Sequence, residues 1–366
     1  MKTLQVAKFA NIPIKVHWSF GLFVLLIIAY GLSIQVNGTE LIWFLAFIGS
    51  MFLCVILHEY GHALSARRYG VKTLDIIISP IGGLARLERL PEKPIQELIV
   101  AIAGPLVNVV IGLILFVILF AFNQNISFME LVDNPLDNIA TINGFFGLLI
   151  WTNVVLFLFN LIPAFPMDGG RILRALLTMR MGKVKGTQWA ALTGRILAVS
   201  FIGFAVYSKD YMLIFIGIFV FAMAGAEKNQ VLIESILEKA IVTDIMKTDY
   251  SRIHISEPLR TMFDKYIKGG EKNFIVFDSM GNISGVMPEL FLKQAYKDNL
   301  LDTTIANQYM STNILRVNKN VTLKYLFERM NKEGVAIVAI DDEEQIIGVI
   351  DRYMIQNFIQ LHLRKK

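Results

Sequence analysis

The sequence predicts an α-helical membrane protein with six transmembrane helices, a membrane-associated β-hairpin and a C-terminal α/β region. The 366 residues are 55% hydrophobic and only 18% charged, whereas an ordinary soluble domain has about 25% charged residues. Apolar stretches of the length that a bilayer core requires recur up to residue 226. After residue 240 the charged residues become frequent, which indicates a soluble region.

The predicted spans follow a short polar lead, residues 1–16. They cover approximately residues 18–36, 41–66, 95–122, 143–162, 189–207 and 211–226. The first span lacks a small-residue cleavage site after a short apolar region, so it is predicted to be a transmembrane helix and not a secretory signal.

Residues 71–90 have a different pattern. Short β-branched and apolar runs flank the turn sequence Ser79-Pro80-Ile81-Gly82-Gly83, which predicts a β-hairpin. An open sheet edge cannot face lipid, so the hairpin is expected at the membrane interface or along a cavity.

Lysine and arginine residues predict the orientation of the spans. They are frequent in the lead, after the second span and after the fourth span, and the loops at 37–40 and 123–139 have none. The positive-inside rule then places both termini in the cytoplasm, with the chain in the cell (inner) membrane. This topology accounts for the net charge of +5 without nucleic acid binding.

A metal-binding motif lies near the end of the second span. His58 and His62 are four residues apart, so a helix places them on one face, where two neutral imidazoles can bind one Zn²⁺. Glu59 between them can act as the general base of a hydrolase. The alternative is a pair of partly buried histidines at a helix end, but ionisable groups at membrane depth are usually functional.

A catalytic zinc takes three protein ligands and keeps one position open. Asp168 is the candidate third ligand, because it lies in a segment broken by prolines and glycines on the same predicted side of the bilayer. The alternative is that Asp168 caps a helix beginning at Gly169. The single cysteine, Cys54, is predicted to pack in the core.

Two amides in apolar helices, Asn108 and Asn160, are candidates for a catalytic role. Either side chain can donate a hydrogen bond to the oxyanion that forms when a peptide carbonyl is attacked. Either can equally hold neighbouring helices together.

The C-terminal region repeats loosely with a period of about 65 residues, which predicts two copies of a small α/β module. A strand, an acidic turn and a second strand end at Gly285-Val286-Met287, and the same pattern ends again at Gly348-Val349-Ile350. The predicted organisation is a transmembrane catalytic domain at 1–226, a linker at 227–239 and modules at 240–300 and 301–366.

Residues 10–226 resemble the site-2 protease family of intramembrane metalloproteases, and the tail resembles a pair of CBS modules. The motifs that match are His58-Glu59-Tyr60-Gly61-His62, Gly82-Gly83, Gly104-Pro105 with Asn108, and Asn160 through Asp168-Gly169-Gly170-Arg171. The resemblance implies one Zn²⁺ per chain, with His58, His62 and Asp168 as ligands. It also implies Glu59 as the general base and Asn160 as a group that binds the substrate backbone or the oxyanion.

The resemblance further implies regulated intramembrane proteolysis. The substrate is expected to be a transmembrane segment of a single-pass membrane-bound regulator, or a leftover signal peptide, that unwinds and is cut in an extended form. The predicted hairpin can offer an edge to such a strand. Proline substitutions along Ile76–Ile78 are the proposed test of that role.

CBS modules of this kind often bind adenine nucleotides through a Ser or Thr and a final Asp that follow a glycine. The runs beginning at Gly285 and Gly348 lack both residues, so they do not support binding of an adenine nucleotide. Dimerisation or gating is therefore the expected role of the pair, with a homodimer forming through the CBS modules.

Two other functions fit parts of the sequence. One is a CBS-regulated membrane transporter, which would not need Glu59 and would show internal repeats among its spans. The other is a catalytically inactive membrane adaptor, against which the intact motif argues. Zinc content separates the protease from the transporter, and Glu59→Gln separates it from the adaptor.

Overall fold

The computed structural model describes residues 3–89, 91, 93–122, 139–269, 271–342 and 345–364. The chain divides into two compact units, Met1–Lys228 and Asn229–Lys366. The predicted loop at 123–139, which has no lysine or arginine, lies outside the described residues except for Ile139.

Helices, most of them long and apolar, make up most of the described part of the first unit. They are α1 Trp18–Ser33, α2 Gly38–Arg68, α3 Pro94–Ala121, α4 Ile142–Asn160, α5 Asp168–Met181, α6 Lys183–Ser208 and α7 Tyr211–Lys239. Five of them, α2, α3, α4, α6 and α7, are long and apolar enough to cross a membrane. The predicted linker at 227–239 continues α7 as a helix.

The first predicted span forms the helix α1, which has only 16 residues. At 1.5 Å per residue the helix is about 24 Å long. A bilayer core is about 30 Å thick, which requires roughly 20 helical residues. The crossing of the membrane by α1, and therefore the count of six spans, stays a prediction.

The short polar lead at residues 1–16 contains two strands that were not predicted from the sequence. These residues form the antiparallel strands β1 Thr3–Phe9 and β2 Ile12–His17. Ala10 and Asn11 connect them with φ of 49° and 64°, as a two-residue hairpin turn requires. The apolar residues of β2 alternate along the strand and join the core beneath it, a short signal that the neighbouring lysines obscure.

The predicted hairpin is present as β3 Thr73–Ser79 and β4 Gly82–Leu87, and its association with the membrane stays a prediction. It completes a four-stranded sheet of order β1-β2-β3-β4, in which β3 pairs parallel to β2. Ile76–Ile78 therefore pairs on both sides and cannot accept a further strand. Among the strands of the described residues, β4 supplies the open edge on this side of the sheet.

A buried carboxylate links three of these strands. Asp75 of β3 is 1% exposed and accepts hydrogen bonds from Arg86 of β4 at 2.5 Å and from Lys15 of β2 at 2.7 Å. Hydrogen bonds from Arg86, and then from Lys15, lower the pKa of Asp75 to about 2 against the effect of burial. The carboxylate therefore fixes β4 to the rest of the sheet.

The sheet packs its apolar face on helix α2. The core there contains residues of β2, β3, α1 and α2, with these at its centre: Ile12, Phe52, Tyr60, Ala63, Ile76 and Ile78. This packing holds β4 alongside the helix that carries the histidine motif.

The predicted helix break before Asp168 is present. Helix α4 ends at Asn160 and α5 begins at Asp168. Glycine is required after the break, since a Cβ on Gly169 would lie 2.3 Å from the carbonyl oxygen of Ile162, and one on Gly170 would lie 2.7 Å from the backbone of Ala164. The tight fold of this segment brings the start of α5 into the interior.

The second unit contains two similar three-stranded sheets. The first half has β5 Arg252–His254, α8 Leu259–Ile267, β6 Phe274–Phe277, β7 Ile283–Met287 and α9 Glu289–Lys297. The second half has α10 Ala306–Tyr309, β8 Leu315–Asn318, α11 Leu323–Glu333, β9 Ile337–Asp342, β10 Gln345–Asp351 and α12 Arg352–Arg364. In each sheet the first strand is parallel to the second, and the third is antiparallel to it. This common topology agrees with the predicted repeat. The limits of the two modules, 240–300 and 301–366, stay a prediction.

Candidate metal centre

The structure brings together His58, His62 and Asp168. The two imidazole Nε2 atoms lie 3.1 Å apart, and each lies 3.1 Å from Oδ2 of Asp168. All three side chains are buried, with 4–6% of each residue exposed. Three ligand atoms therefore converge on one point in the interior, although Asp168 lies more than 100 positions along the chain from the histidines.

Asp168 is the first residue of α5 and not its N-cap. Met167 holds the cap position and makes no side-chain cap hydrogen bond. The alternative interpretation of Asp168 as a helix cap is therefore wrong, because its carboxylate faces the two imidazoles.

The second nitrogen of each imidazole meets a fixed neighbour. Nδ1 of His62 donates to the carbonyl oxygen of Val100 at 2.7 Å, which leaves Nε2 with a free lone pair. Nδ1 of His58 lies 3.2 Å from the side-chain amide of Asn108. Both partners belong to α3, so this helix orients both rings.

A glycine on α3 makes room for the imidazoles. A Cβ on Gly104 would lie 2.3 Å from Nε2 of His62 and 2.7 Å from Nε2 of His58. On the facing helix, a Cβ on Gly61 would lie 2.7 Å from the carbonyl oxygen of Ala103. Helices α2 and α3 therefore approach closely where the ligand atoms meet.

Glu59 is half-buried beside this group. Its Oε2 accepts a hydrogen bond of 2.8 Å from the backbone N–H of Ala85 in strand β4. Its side chain passes over Gly83, where a Cβ would lie 2.9 Å from Cγ of Glu59. The carboxylate therefore lies between the histidine motif and the edge of the sheet.

The two candidate amides have different surroundings. Asn108 is buried against His58. Asn160 is half-buried at the end of α4, and no hydrogen bond joins it to the described histidines or to Asp168. Cys54 is buried among apolar side chains and accepts a hydrogen bond from Asn153 at 3.4 Å, so the prediction that it packs in the core is confirmed.

Two contacts of the site, and one group of ion pairs elsewhere in the first unit, were not predicted from the sequence. Those of Val100 and Ala85 use backbone atoms and leave no signal in the residue type. The ion pairs involve Arg174, which belongs to the basic stretch after the fourth predicted span but is 1% exposed on α5. Arg174 donates from Nε to Glu97 of α3 at 2.6 Å and pairs with Glu227 of α7. The available signal was two acidic residues, one in the first turn of α3 and one directly after the sixth predicted span.

The donor set fits a zinc ion. Zinc accepts two imidazole nitrogens and a carboxylate oxygen, and in a tetrahedral site with bonds of about 2.0–2.1 Å the ligand atoms lie about 3.3 Å apart. The three atoms here are separated by 3.1 Å, so little rearrangement is needed to bind the ion.

Comparison with known proteins agrees with this chemistry. The profile of Peptidase family M50 matches residues 46–204, and the profile of the CBS domain matches residues 306–360. The solved structure of the site-2 protease from Methanocaldococcus jannaschii is 38% identical over 62% of this chain and 95% of that chain, with a TM-score of 0.45.

Two relatives extend the comparison. The zinc metalloprotease MJ0392 of Methanocaldococcus jannaschii is 39% identical over 244 residues, which are 67% of this chain and 66% of that protein. The protein sll0528 of Synechocystis is 26% identical over 377 residues, which are 98% of this chain and 95% of that protein. The matched profile and these relatives, together with five long apolar helices, show that the chain is an integral multi-pass membrane protein of peptidase family M50, the site-2 protease family of zinc metalloproteases.

Proposed function

We propose that this protein is a zinc endopeptidase that hydrolyses a peptide bond in or beside a transmembrane segment of a membrane-bound regulator or signal peptide. The observation that carries the proposal is the buried convergence of Nε2 of His58, Nε2 of His62 and Oδ2 of Asp168, mutually 3.1 Å apart. A group of this composition binds one zinc ion and leaves a position for substrate or water.

Each residue of the site has a distinct part in the proposed reaction. His58, His62 and Asp168 hold the zinc, which when bound polarises the scissile carbonyl and makes water more acidic. Glu59 takes a proton from the attacking water and returns it to the leaving amine. Asn160 stays a candidate for a substrate or oxyanion contact, since it ends the helix that precedes the break before Asp168.

The sheet supplies a place for the substrate. A peptide bond in a helix is shielded by its own hydrogen bonds, so the substrate unwinds before it is cut. Strand β4 is an open edge within the described sheet and lies against Glu59 through Ala85. An extended segment added to this edge would present its peptide bonds next to the general base. Ile76–Ile78 pairs on both sides, so β4 and not β3 is the strand of the hairpin that offers an edge.

The remaining features of the proposal concern topology and the tail. Both termini lie in the cytoplasm of a cell (inner) membrane, as the distribution of lysine and arginine indicates. The catalytic domain occupies 1–226, and two CBS modules at 240–300 and 301–366 support a homodimer or gate the site without an adenine nucleotide. The common strand topology of the two halves supports the presence of two modules.

A comparison of membrane-protein fragments tests the function. Cells carrying the wild type or Glu59→Gln are compared by quantitative proteomics of their membranes. We expect fragments that contain a transmembrane helix to accumulate uncut only with Glu59→Gln, because the variant keeps the ligands and loses the base. Identical fragment patterns, with about one zinc per purified chain as a three-ligand site requires, would count against proteolysis under those conditions.

A further inference from the structure

The amides on the open edge of β4 can be identified from two hydrogen bonds. The N–H of Glu88 donates inward to the carbonyl oxygen of Lys72 at 2.8 Å, and the N–H of Ala85 donates outward to Glu59 at 2.8 Å. Because successive residues of an antiparallel strand face alternate sides of the ladder, the N–H groups of Gly83, Ala85 and Leu87 share the open edge.

Glu59 accepts a hydrogen bond from the central one of these three amides, that of Ala85. Its side chain reaches that position because Gly83 has no Cβ, which would lie 2.9 Å from Cγ and 3.4 Å from Oε1 of Glu59. The general base is therefore bound to the part of the sheet where an added strand needs a donor.

One N–H group cannot make a full hydrogen bond to both partners. A strand that pairs with β4 needs the Ala85 N–H for one of its carbonyl oxygens, and the Glu59 carboxylate already occupies it. A bond to a carboxylate is stronger than a bond to a neutral carbonyl, so the exchange needs compensation. Hydrogen bonds from the flanking amides of Gly83 and Leu87 to the strand, and one from the attacking water to the released carboxylate, would supply this compensation.

We propose that the Ala85 N–H is transferred between two partners during catalysis. It holds Glu59 in the empty enzyme, and it passes to a carbonyl oxygen of the substrate strand when that strand pairs with β4. The transfer frees Glu59 to accept a proton from the attacking water. This inference rests on the proposed function, and it makes the base available only when an extended segment is in place, so peptides that do not pair with β4 are cut slowly.

Amide hydrogen exchange at single-residue resolution tests both states. The probe is a synthetic peptide with the sequence of a segment that stays uncut in Glu59→Gln cells. Without peptide, the Ala85 amide should exchange at least about tenfold faster in Glu59→Ala than in wild type, because its single acceptor outside the strand is gone. With peptide, Glu59→Ala should regain protection at Ala85 and gain it at Gly83 and Leu87.

The outcomes separate the two proposals. Equal exchange of Ala85 in wild type and Glu59→Ala without peptide would overturn the transfer, whatever the peptide does. Protection of Gly83 and Leu87 without recovery at Ala85 would also overturn it while strand pairing stands. If no edge amide gains protection, pairing on β4 is wrong and the transfer falls with it, although cleavage itself is still measured independently.

Steady-state kinetics supply a second readout. Ala85→Pro removes the N–H at an edge position where proline is tolerated, and Ala85→Val keeps the N–H while adding similar bulk. Relative to Ala85→Val, we expect Ala85→Pro not to lower kcat/KM, because the bond that the substrate loses is offset by the bond to Glu59 that the empty enzyme loses. A fall in kcat at constant KM would show that Ala85 only holds Glu59 in its active position, which contradicts the transfer.

Discussion

Asn108 lies beside His58, with its Nδ2 3.2 Å from Nδ1 of the imidazole, and its buried Oδ1 has no hydrogen-bond partner. An imidazole that offers Nε2 to a metal carries its proton on Nδ1 and needs an acceptor there. A half-turn of the amide places Oδ1 opposite that proton and satisfies both groups. We infer that Asn108 is a positioning residue that selects the tautomer of His58, and not a donor to the oxyanion.

Asn108→Ala should therefore weaken zinc binding. Loss of a partner of this kind typically lowers metal affinity about 10- to 100-fold. Asn108→Asp keeps an oxygen acceptor in the same place, so it should recover most of the affinity. Competition with a chromophoric chelator measures both variants in detergent, without any substrate.

Asn153→Ala is the matched control for Asn108. Asn153 is also a buried amide of an apolar helix with a free Oδ1, but its Nδ2 donates to the carbonyl oxygen of Leu149 at 2.8 Å, away from the histidines. If both alanine variants lose zinc to the same degree, the effect is general loosening of the helices and Asn108 has no special part.

Gly104→Ala should abolish zinc binding. The added Cβ would lie 2.3–2.7 Å from imidazole atoms of His58 and His62. Both rings are held in place by contacts of their Nδ1 atoms with α3. The rings must turn away, and the ligand atoms then no longer converge. Zinc per chain, measured by atomic emission on the purified protein, should fall close to zero.

Gly112→Ala serves as the control in the same helix. Its Cβ would meet no closer atom than one of Asn153 at 4.0 Å, so zinc content should stay at the wild-type level. A Gly104→Ala protein that retains one zinc would contradict the close approach described for α2 and α3.

The candidate ligands could be predicted from sequence because their chemistry leaves a local pattern. His58 and His62 have helical spacing, and Asp168 stands in a helix break that proline and glycine residues mark. The sheet was only half predicted, because Lys8 and Lys15 obscure the alternation of the first two strands. The contact between Ala85 and Glu59 could not be predicted, since it depends on a backbone amide and on the register of β4.

Arg174→Met should destabilise the first unit strongly. The guanidinium is buried between Glu97 and Glu227, so its removal leaves two carboxylates without their counter-charge. Removing one member of a buried ion pair typically costs about 3–5 kcal/mol. Thermal unfolding in detergent should show the loss, and Glu97→Gln with Glu227→Gln in the Arg174→Met background should recover part of it.

Arg195→Met is the comparison for Arg174. Arg195 lies over the ring of Phe221 at 5.1 Å, and none of the ion pairs among the described residues includes it. Its replacement removes a contact worth about 0.5–1 kcal/mol. Equal losses from both substitutions would mean that the carboxylates near Arg174 do not depend on its charge.

The second unit should lose a stabilising contact in acid. Glu289 accepts hydrogen bonds from Tyr353 at 2.6 Å and Tyr266 at 2.9 Å, and Lys293 lies 2.6 Å away. Burial disfavours the carboxylate, but Lys293 and the two hydroxyls outweigh it and lower the pKa of Glu289 to about 2. A pKa below the unfolded value of about 4.3 means that the charged form stabilises the fold.

The lowered pKa of Glu289 determines how the difference in unfolding temperature between wild type and Glu289→Gln depends on pH. Above about pH 5 the wild type should unfold at a higher temperature than the variant, because its carboxylate is charged in both the folded and the unfolded chain. Between about pH 4.3 and pH 2 the difference should shrink, since Glu289 becomes protonated and resembles glutamine. Asp302→Asn, which breaks an exposed pair with Arg260, should change little at any pH. A difference between Glu289→Gln and wild type that is the same at pH 7 and pH 2.5 would show that packing, and not charge, accounts for the role of Glu289.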